Sequence, residues 1–312
     1  MRILVTGGAG FIGSHVTDAF LAMGNEVAVV DDLSRGQYGR LDVRATLHKL
    51  SVADARSLTG LVQAFRPDVV CHLAAHIDVR ASVADPAMDA QANVIGTINV
   101  LEAARAARAR VIFTSSGGAL YGRDAPKPSP EDAPTLPESP YGVAKLCGEH
   151  YVELYNQLHG TRNSVLRLAN VYGPRQDPAG EAGVIALFCD RVLTGKTPVI
   201  YGDGKQTRDY IYVGDVVRAF VAATASDRPG TWNIGTGIET SVLDLVEVIG
   251  KVDNRAVTPA FTAPLSGELL RSAIAPGRAE ADLGWLPLIM LADGVRNTYR
   301  WIGNGAPARA AC

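Results

Sequence analysis

The sequence predicts an α/β fold: a doubly wound, mostly parallel sheet followed by a smaller C-terminal α/β lobe. Three observations predict it. The β-forming run Arg2–Thr6 leads straight into Gly7-Gly-Ala-Gly-Phe-Ile-Gly13, and apolar residues then recur at helical spacing from Phe11 to Met23. Strand-like and helix-like stretches alternate as far as Leu168, a pattern that gives parallel sheets with helices on both faces. Tyr141 and Lys145 stand four residues apart just after Pro140, a residue favoured in the first turn of a helix.

The elements follow in order. Arg2–Thr6 is strand, Gly7–Gly13 a tight turn and Phe11–Met23 a helix. Backbone N–H groups in such a turn can approach a pyrophosphate at the helix N-terminus, where the dipole favours anions. The spacing is Gly-x-x-Gly-x-x-Gly, in the strand–turn–helix context the chemistry requires. The next strand, Glu26–Asp31, ends in a carboxylate about 20 residues beyond the glycines, where one can accept hydrogen bonds from an adenosine ribose. A carboxylate there repels a 2′-phosphate, which favours NAD over NADP, with Arg35 as the neighbouring residue that could favour the reverse. Thr46–Leu50, a helix from about Asp54 to Phe65, Asp68–Leu73, a long helix from about Asp89 to Ala107 and the strand Arg110–Thr114 come next.

Prolines 126, 128, 130, 134, 137 and 140 make the following stretch a loop, either crossing a cleft mouth or linking elements. Pro140 then opens the Tyr141 helix. Beyond Leu168 come a Gly/Pro-rich segment at Gly173–Gly183, a helix to about Thr194, the strands Pro198–Tyr201 and Tyr210–Val213, and further helices. The domain expectation is therefore a nucleotide-binding part at 1–168, a substrate lobe at 169–302 with some segments returning to the first part, and a disordered tail at 303–312.

Composition bounds the function. A chain of 312 residues, 47% hydrophobic and with a formal charge of -2, can bury a large core and offers no basis for nucleic-acid binding. No apolar run approaches the roughly 18 residues of a membrane span, and a glycine turn at residue 7 leaves no room for a targeting peptide, so a cytoplasmic protein is expected. Cys71, Cys147, Cys189 and Cys312 are far apart, which speaks against a disulfide framework or a zinc site. His72 and His76 straddle a strand end with no Glu between them, and no metal is expected.

At helical spacing i, i+4, Lys145 can lie beneath the Tyr141 ring and keep positive potential near its hydroxyl, lowering the phenol pKa toward working pH. The strand before that helix runs into Ser115-Ser116, which adds a hydroxyl at a strand end. Hydroxyl, phenol and ammonium above a nicotinamide form a set that moves a hydride and a proton at one carbinol carbon.

With these residues in place the chain resembles the extended short-chain dehydrogenase/reductase family, in particular its NAD-dependent nucleotide-sugar epimerases. The resemblance runs from Thr6–Gly13 to Leu283-Gly-Trp-Leu-Pro287, through His72-Leu-Ala-Ala75, Asn93-Val-Ile-Gly-Thr97, Tyr121-Gly122, Asn170-Val-Tyr-Gly-Pro174 and Gly202–Tyr210. It implies a Rossmann fold, NAD as cofactor and a UDP-sugar as substrate. It makes Tyr141 the base, Lys145 the holder of the nicotinamide ribose, and Ser116 the hydroxyl at the reacting oxygen. Ser115 is the alternative, because one extra residue separates this serine pair from Tyr121. The turn residues Gly7, Gly10, Phe11, Ile12 and Gly13, with Asp31, Leu73, Ala74 and Asn93, match cofactor contacts. Asn170, Tyr201, Arg208, Arg271 and Ser272 match substrate contacts.

Two departures stand out against the family: Ser51 where Asp often reaches the adenine, and Leu265 where an Arg commonly helps bind the diphosphate, with Arg271 as a possible replacement. Dehydratases and decarboxylases of the family need an added acid beside the catalytic hydroxyl, and Ser116-Gly-Gly-Ala-Leu-Tyr121 contains none. The resemblance therefore implies reversible C4 epimerisation through a 4-keto sugar, in a homodimer formed by the helices at about 89–107 and 141–159. The alternatives are a nucleotide-sugar dehydrogenase or dehydratase, and a non-catalytic NAD-binding regulator. Ser272, small where stricter enzymes carry Tyr, implies room for N-acetylated or 6-carboxylated sugars, with Arg80 and Arg191 as candidate carboxylate donors.

Overall fold

The computed structural model describes residues 1–178, 183–265, 267 and 269–305. Six strands from the first 168 residues, β1 (Arg2–Thr6), β2 (Glu26–Asp31), β3 (Thr46–Lys49), β4 (Val69–His72), β5 (Arg110–Ser116) and β6 (Ser164–Leu168), share one sheet with Thr231–Ile234. The order is Thr231–Ile234, β6, β5, β4, β1, β2, β3, and every pairing is parallel. The chain winds outward from β1 to β3, then returns to lay β4 on the other side of β1. That reversal opens a crevice beyond the carboxyl ends of β1 and β4, where open α/β sheets bind ligands.

Side-chain alternation fills both faces of the sheet. Ile3, Val5, Val27 and Val29 point into one core with Phe20, Phe220 and Trp232. Leu4, Ala28 and Val30 point into the other with Leu58, Leu101 and Phe113. A third apolar cluster, including Tyr172, Phe188, Ile200, Leu245 and Val295, belongs to the C-terminal part.

Most elements begin and end within two residues of the predicted places; two differences bear on the site. The region predicted as one helix from Asp89 to Ala107 starts earlier and is interrupted: Pro86–Ala90, a π turn at Gln91–Ile95, then Gly96–Ala107. π turns of this kind are frequent at functional sites, and this one carries Asn93. The strand predicted to stop at Thr114 continues to Ser116.

The proline-rich loop is tied down at Ser129 and at Glu131, whose carbonyl accepts from Arg167 and whose carboxylate accepts from Asn233 N–H (2.8 Å). Ser129 forms a parallel bridge with Ile274, its N–H donating to the Ala273 carbonyl (2.8 Å) while its own carbonyl accepts from Ala275 N–H (2.9 Å). The loop therefore joins the sheet domain to a C-terminal segment. The last helix, Leu291–Gly303, takes in the first residue of the predicted tail, and residues 306–312 lie outside the described residues. Among the described residues no helix is long and apolar enough to cross a membrane, and no group of three His, Cys, Asp or Glu side chains could hold a metal ion.

Candidate active site

The glycine turn lies at the β1–β4 crevice. Gly7 has φ +70°, and a Cβ there would lie 2.6 Å from Ala74 N and 2.8 Å from the Leu73 carbonyl carbon. At Gly13 a Cβ would lie 2.1 Å from the Gly7 carbonyl oxygen, so only glycine lets the first helical turn close on the loop. Gly10 is the N-cap of the helix Phe11–Ala22 and donates its N–H to Gly7 O (3.1 Å), leaving Phe11 and Ile12 partly buried in the first turn. A bare-backbone cradle at a helix N-terminus is what a pyrophosphate requires, so the residues present fit a dinucleotide.

Asp31 ends β2 beside this turn, its carboxylate accepting from Ala9 N–H (3.0 Å) and Leu33 N–H (2.9 Å). Burial pushes its pKa up, against the pull of these two donors. Arg35 reaches toward Asp78, at 4.0 Å. Ser51 uses its hydroxyl to accept from Ala53 N–H (3.2 Å) in the turn before the next helix.

A polar chain runs behind the crevice. Ala74 N–H donates to Thr6 Oγ1 (3.2 Å), which lies 2.7 Å from His72 Nδ1; His72 Nε2 lies 3.1 Å from Thr97 Oγ1, which donates to the Asn93 carbonyl (2.7 Å). Since the Thr97 proton is committed to Asn93, the direction of the chain assigns the His72 proton to Nε2, and the ring is neutral. Burial lowers the His72 pKa to about 3, helped by the Lys145 charge. The Asn93 side chain is held on three sides: its amide donates to His76 O (2.8 Å) and Asp89 Oδ1 (2.9 Å), and its oxygen accepts from His76 N–H (2.9 Å).

The helix Pro140–His159 carries Tyr141 and Lys145. Ser139 caps it by accepting from Gly142 N–H (3.1 Å), and the buried Ser82 hydroxyl accepts from Tyr141 N–H itself (3.2 Å). Lys145 is 4% exposed; its ammonium donates to the Thr114 carbonyl (2.9 Å) and lies 5.0 Å from the Phe113 ring centre and 5.9 Å from that of Tyr141.

Successive residues of a strand face opposite ways, which separates the two serines. Ser116 hydrogen-bonds through its side chain with Tyr141, whereas Ser115 is buried with its hydroxyl unpartnered.

One electrostatic expectation is corrected. Burial pushes the Tyr141 phenol up to about 12, opposed by the Ser116 hydrogen bond and reinforced by the Asp89 charge, so the phenol is not lowered toward neutral pH. The lysine charge is drawn instead to Thr114 and Phe113, and burial brings Lys145 itself down to about 8.

Several substrate candidates converge by strand register. Asn170 pairs with Tyr210, and Ser272 pairs with Arg208. A Cβ on Gly118 would lie 3.5 Å from Asn170 Oδ1 and 3.8 Å from Ser272 Oγ, so both side chains approach the turn that follows Ser116. Arg208 donates to Thr207 O (2.8 Å). Arg271 is engaged by Glu239, with Nε to Oε2 at 2.9 Å, and is directed to that carboxylate. Tyr201 sits on a separate two-stranded sheet, paired with Thr262. Arg191 donates to Thr197 O (3.0 Å), a local tie at a helix end, and Arg80 is exposed. Leu265 is described, but Ser266 and Glu268 of the same motif lie outside the described residues.

Sequence reading missed Ser82, Asp89 and the Thr6–His72–Thr97 chain. The partners are 59 residues away for Ser82 and 66 and 25 for His72, so no local pattern signals these two; Asp89 does stand four residues before its partner Asn93, and that helical spacing is the available signal.

Residues 3–235 match the model of the NAD dependent epimerase/dehydratase family. The chain belongs to that family. Among curated relatives, UDP-glucose 4-epimerase of Mycolicibacterium smegmatis is 46% identical over 97% of this chain and 99% of its own length. Among solved structures, UDP-glucose 4-epimerase of Thermotoga maritima with UDP-glucose superimposes with a TM-score of 0.95 at 42% identity, covering 97% of this chain and 99% of that one. The Thermus thermophilus UDP-glucose 4-epimerase complex with NAD gives 0.91 at 39% identity, covering 98% and 100%. As a member of this epimerase/dehydratase family the chain is an enzyme with NAD as its cofactor, and its fold is the Rossmann-like sheet described above.

Proposed function

We propose that this chain catalyses reversible C4 epimerisation of a UDP-hexose of the UDP-glucose/UDP-galactose type. The observation that carries this reading is the convergence of Ser116, Tyr141 and Lys145 at the carboxyl end of β5, with no acidic side chain between Ser116 and Tyr121. The similarity to UDP-glucose 4-epimerases over nearly the whole chain supports it.

Tyr141 takes the proton of the sugar 4-OH and returns it after the keto sugar turns over. To act as that base Tyr141 must be a phenolate when the sugar binds: burial pushes the phenol up in the protein alone, and loss of the phenol proton to solvent before substrate enters is favoured by the positive charge of a bound nicotinamide. Ser116 hydrogen-bonds the reacting oxygen and fixes its distance from Tyr141. Lys145 supplies the positive potential of the pocket and holds the nicotinamide ribose. Gly7, Gly10, Phe11, Ile12 and Gly13 hold the pyrophosphate, Asp31 the adenosine ribose, and Leu73, Ala74 and Asn93 the nicotinamide side. Bound NAD supplies the reversible two-electron oxidant for C4. Asn170 and Arg208 bind the UDP diphosphate, with Tyr201 and Arg271 at the nucleotide end. In this reading residues 1–168 bind cofactor and 169–302 mainly bind the nucleotide sugar, in a cytoplasmic enzyme.

Ser272 favours a wider substrate range. Its side chain is short and approaches the same turn as Asn170, which, compared with a bulky tyrosine at that position, favours acceptance of a C2 N-acetyl group or a 6-carboxylate. A homodimer through the Tyr141 helix is supported by a stripe at helical spacing, Val143, Cys147, Tyr151, Leu154 and Leu158, in which Val143 and Leu158 are 55% and 66% exposed. Light scattering of a Leu158→Glu variant should report a monomer; an unchanged mass would remove this interface.

The decisive test gives purified protein UDP-glucose without added cofactor, alongside UDP-glucuronate and UDP-N-acetylglucosamine, and identifies products by NMR. A C4 epimer is expected, and Tyr141→Phe should abolish it while keeping NAD. A keto-deoxy or decarboxylated sugar as main product would overturn the assignment, and steady reduction of supplied NAD would make the enzyme a dehydrogenase.

A further inference from the structure

Asp89 is a buried acid with no part in the steps above. It is 1% exposed and lies in the short helix Pro86–Ala90, which, with the π turn after it, packs against the Tyr141 helix. One carboxylate oxygen accepts from Asn93 Nδ2 at 2.9 Å; the other, Oδ2, is buried without a hydrogen-bond partner. An ionised carboxylate out of water with half its acceptor capacity unused is costly unless a cation balances it.

Burial pushes the Asp89 carboxyl up from its ordinary value, opposed by the Asn93 hydrogen bond and by the positive charges of His76 and Lys145; of these two cations Lys145 is the buried one, 4% exposed and beside Tyr141. Asp89 and Lys145 act on each other electrostatically, and Lys145, which has three N–H donors, gives one to Thr114 O and faces two aromatic rings. The other anion acting on Lys145 is Glu149, one helical turn further on, but Glu149 is already bound in two places by Arg167, with Nε and Nη2 at 3.0 and 2.6 Å. Its charge is offset there. Of the two anions that act on Lys145, Asp89 is the one without a guanidinium partner.

We propose that Asp89 is a positioning residue for the catalytic pair: its carboxylate is the counter-charge that keeps Lys145 an ammonium in this water-excluded space, and Asn93 fixes it in place. The proposal rests on the assignment of Tyr141 and Lys145 as the proton-handling pair. The charged and titratable groups that interact with Asp89 are His76 on the loop after β4 and Tyr141 and Lys145 on the packed helix, with Asn93 on the π turn hydrogen-bonded to it; His72 and Glu149 interact in turn with Lys145. His72 is neutral through the working range and adds no charge.

A single anion acts in the same sense on both members of the pair, because it opposes loss of a proton from the ammonium and from the phenol alike. Removing it should therefore move both limbs of the pH–rate profile toward lower pH. A residue that merely scaffolds Asn93 would lower the rate and leave the limbs where they are.

The experiment compares pH profiles of kcat for the holoenzyme with Asp89→Asn, which keeps an acceptor for Asn93 but removes the charge, and with Asn93→Ser, which removes that hydrogen bond but keeps the charge. Asp89→Asn should shift both limbs down by roughly one pH unit; Asn93→Ser should lower kcat with the limbs in place. Asp89→Ala serves as a second charge-removing variant, and His76→Gln as the control for the neighbouring imidazole. Limbs unmoved in both Asp89 variants, limbs moved equally by Asn93→Ser, or an equal shift in His76→Gln would each overturn the proposal. Failure of the underlying reading is separable, since it shows as residual turnover in Tyr141→Phe whatever the Asp89 variants do.

Discussion

Replacing Glu149 by Gln should cost this protein a large share of its stability. Glu149 follows Lys145 by one turn, and its carboxylate receives Arg167 Nε at 3.0 and 3.1 Å and Nη2 at 2.6 Å. Their side chains are only 7% and 9% exposed. Arg167 Nη1 goes on to Tyr121 Oη (2.7 Å) and the Glu131 carbonyl (3.1 Å), while Tyr121 donates to Asn233 Oδ1 (2.8 Å). The pair thus ties the catalytic helix to β6, the proline-rich loop and the strand Thr231–Ile234. Gln preserves the shape but leaves a buried guanidinium with no counter-charge, which costs about 3–5 kcal/mol. Against a total of about 5–15 kcal/mol, that is roughly a fifth of the stability or more. With about 2–4 °C lost per kcal/mol in a large domain, the melting temperature should fall by roughly 10 °C.

Urea unfolding followed by circular dichroism measures the first quantity and calorimetry the second. The double variant Glu149→Leu/Arg167→Met should recover most of the loss, because neither charge is then left buried alone. A cost below about 1 kcal/mol for Glu149→Gln would refute the reasoning, since that is the range of solvent-screened surface pairs.

Gly7→Ala should weaken NAD binding sharply in a calorimetric titration, because the new methyl meets the Leu73–Ala74 backbone at 2.6–2.9 Å in a left-handed conformation; wild-type affinity would show that the turn yields. His72 should make the protein acid-sensitive. In the unfolded chain its imidazole gains a proton near 6.5 and in the folded protein only near about 3, so between those values the unfolded state holds the extra proton and stability falls as pH falls. His72→Gln should flatten that slope in urea unfolding at a series of pH values; an unchanged slope would place the sensitivity elsewhere. Ser272→Tyr should reduce turnover of UDP-N-acetylglucosamine far more than that of UDP-glucose, and equal rates for both enzymes on the acetylated sugar would mean that residue 272 is no gate.

Local physics made much of this protein legible in its sequence. The order of strands and helices follows from apolar spacing, the glycine turn from the need for bare backbone at Gly7 and Gly13, and the Tyr141–Lys145 pair from helical periodicity. Each is written within a handful of residues. What the fold alone decided depends on partners far apart in the chain. Which of Ser115 and Ser116 meets Tyr141 is set by the length and pleat of β5, and the register between Arg271–Ser272 and Thr207–Arg208 brings Ser272 level with Arg208. Ser82 reaches Tyr141 across 59 positions, and Arg271 turns to Glu239 across 32. The phenol's proton affinity belongs to the same class. Spacing puts a lysine beneath the ring, but desolvation between packed helices, with Thr114 drawing the ammonium and Asp89 adding negative charge, holds the phenol near 12. Burial and long-range neighbours set that balance, and neither exists until the chain has folded.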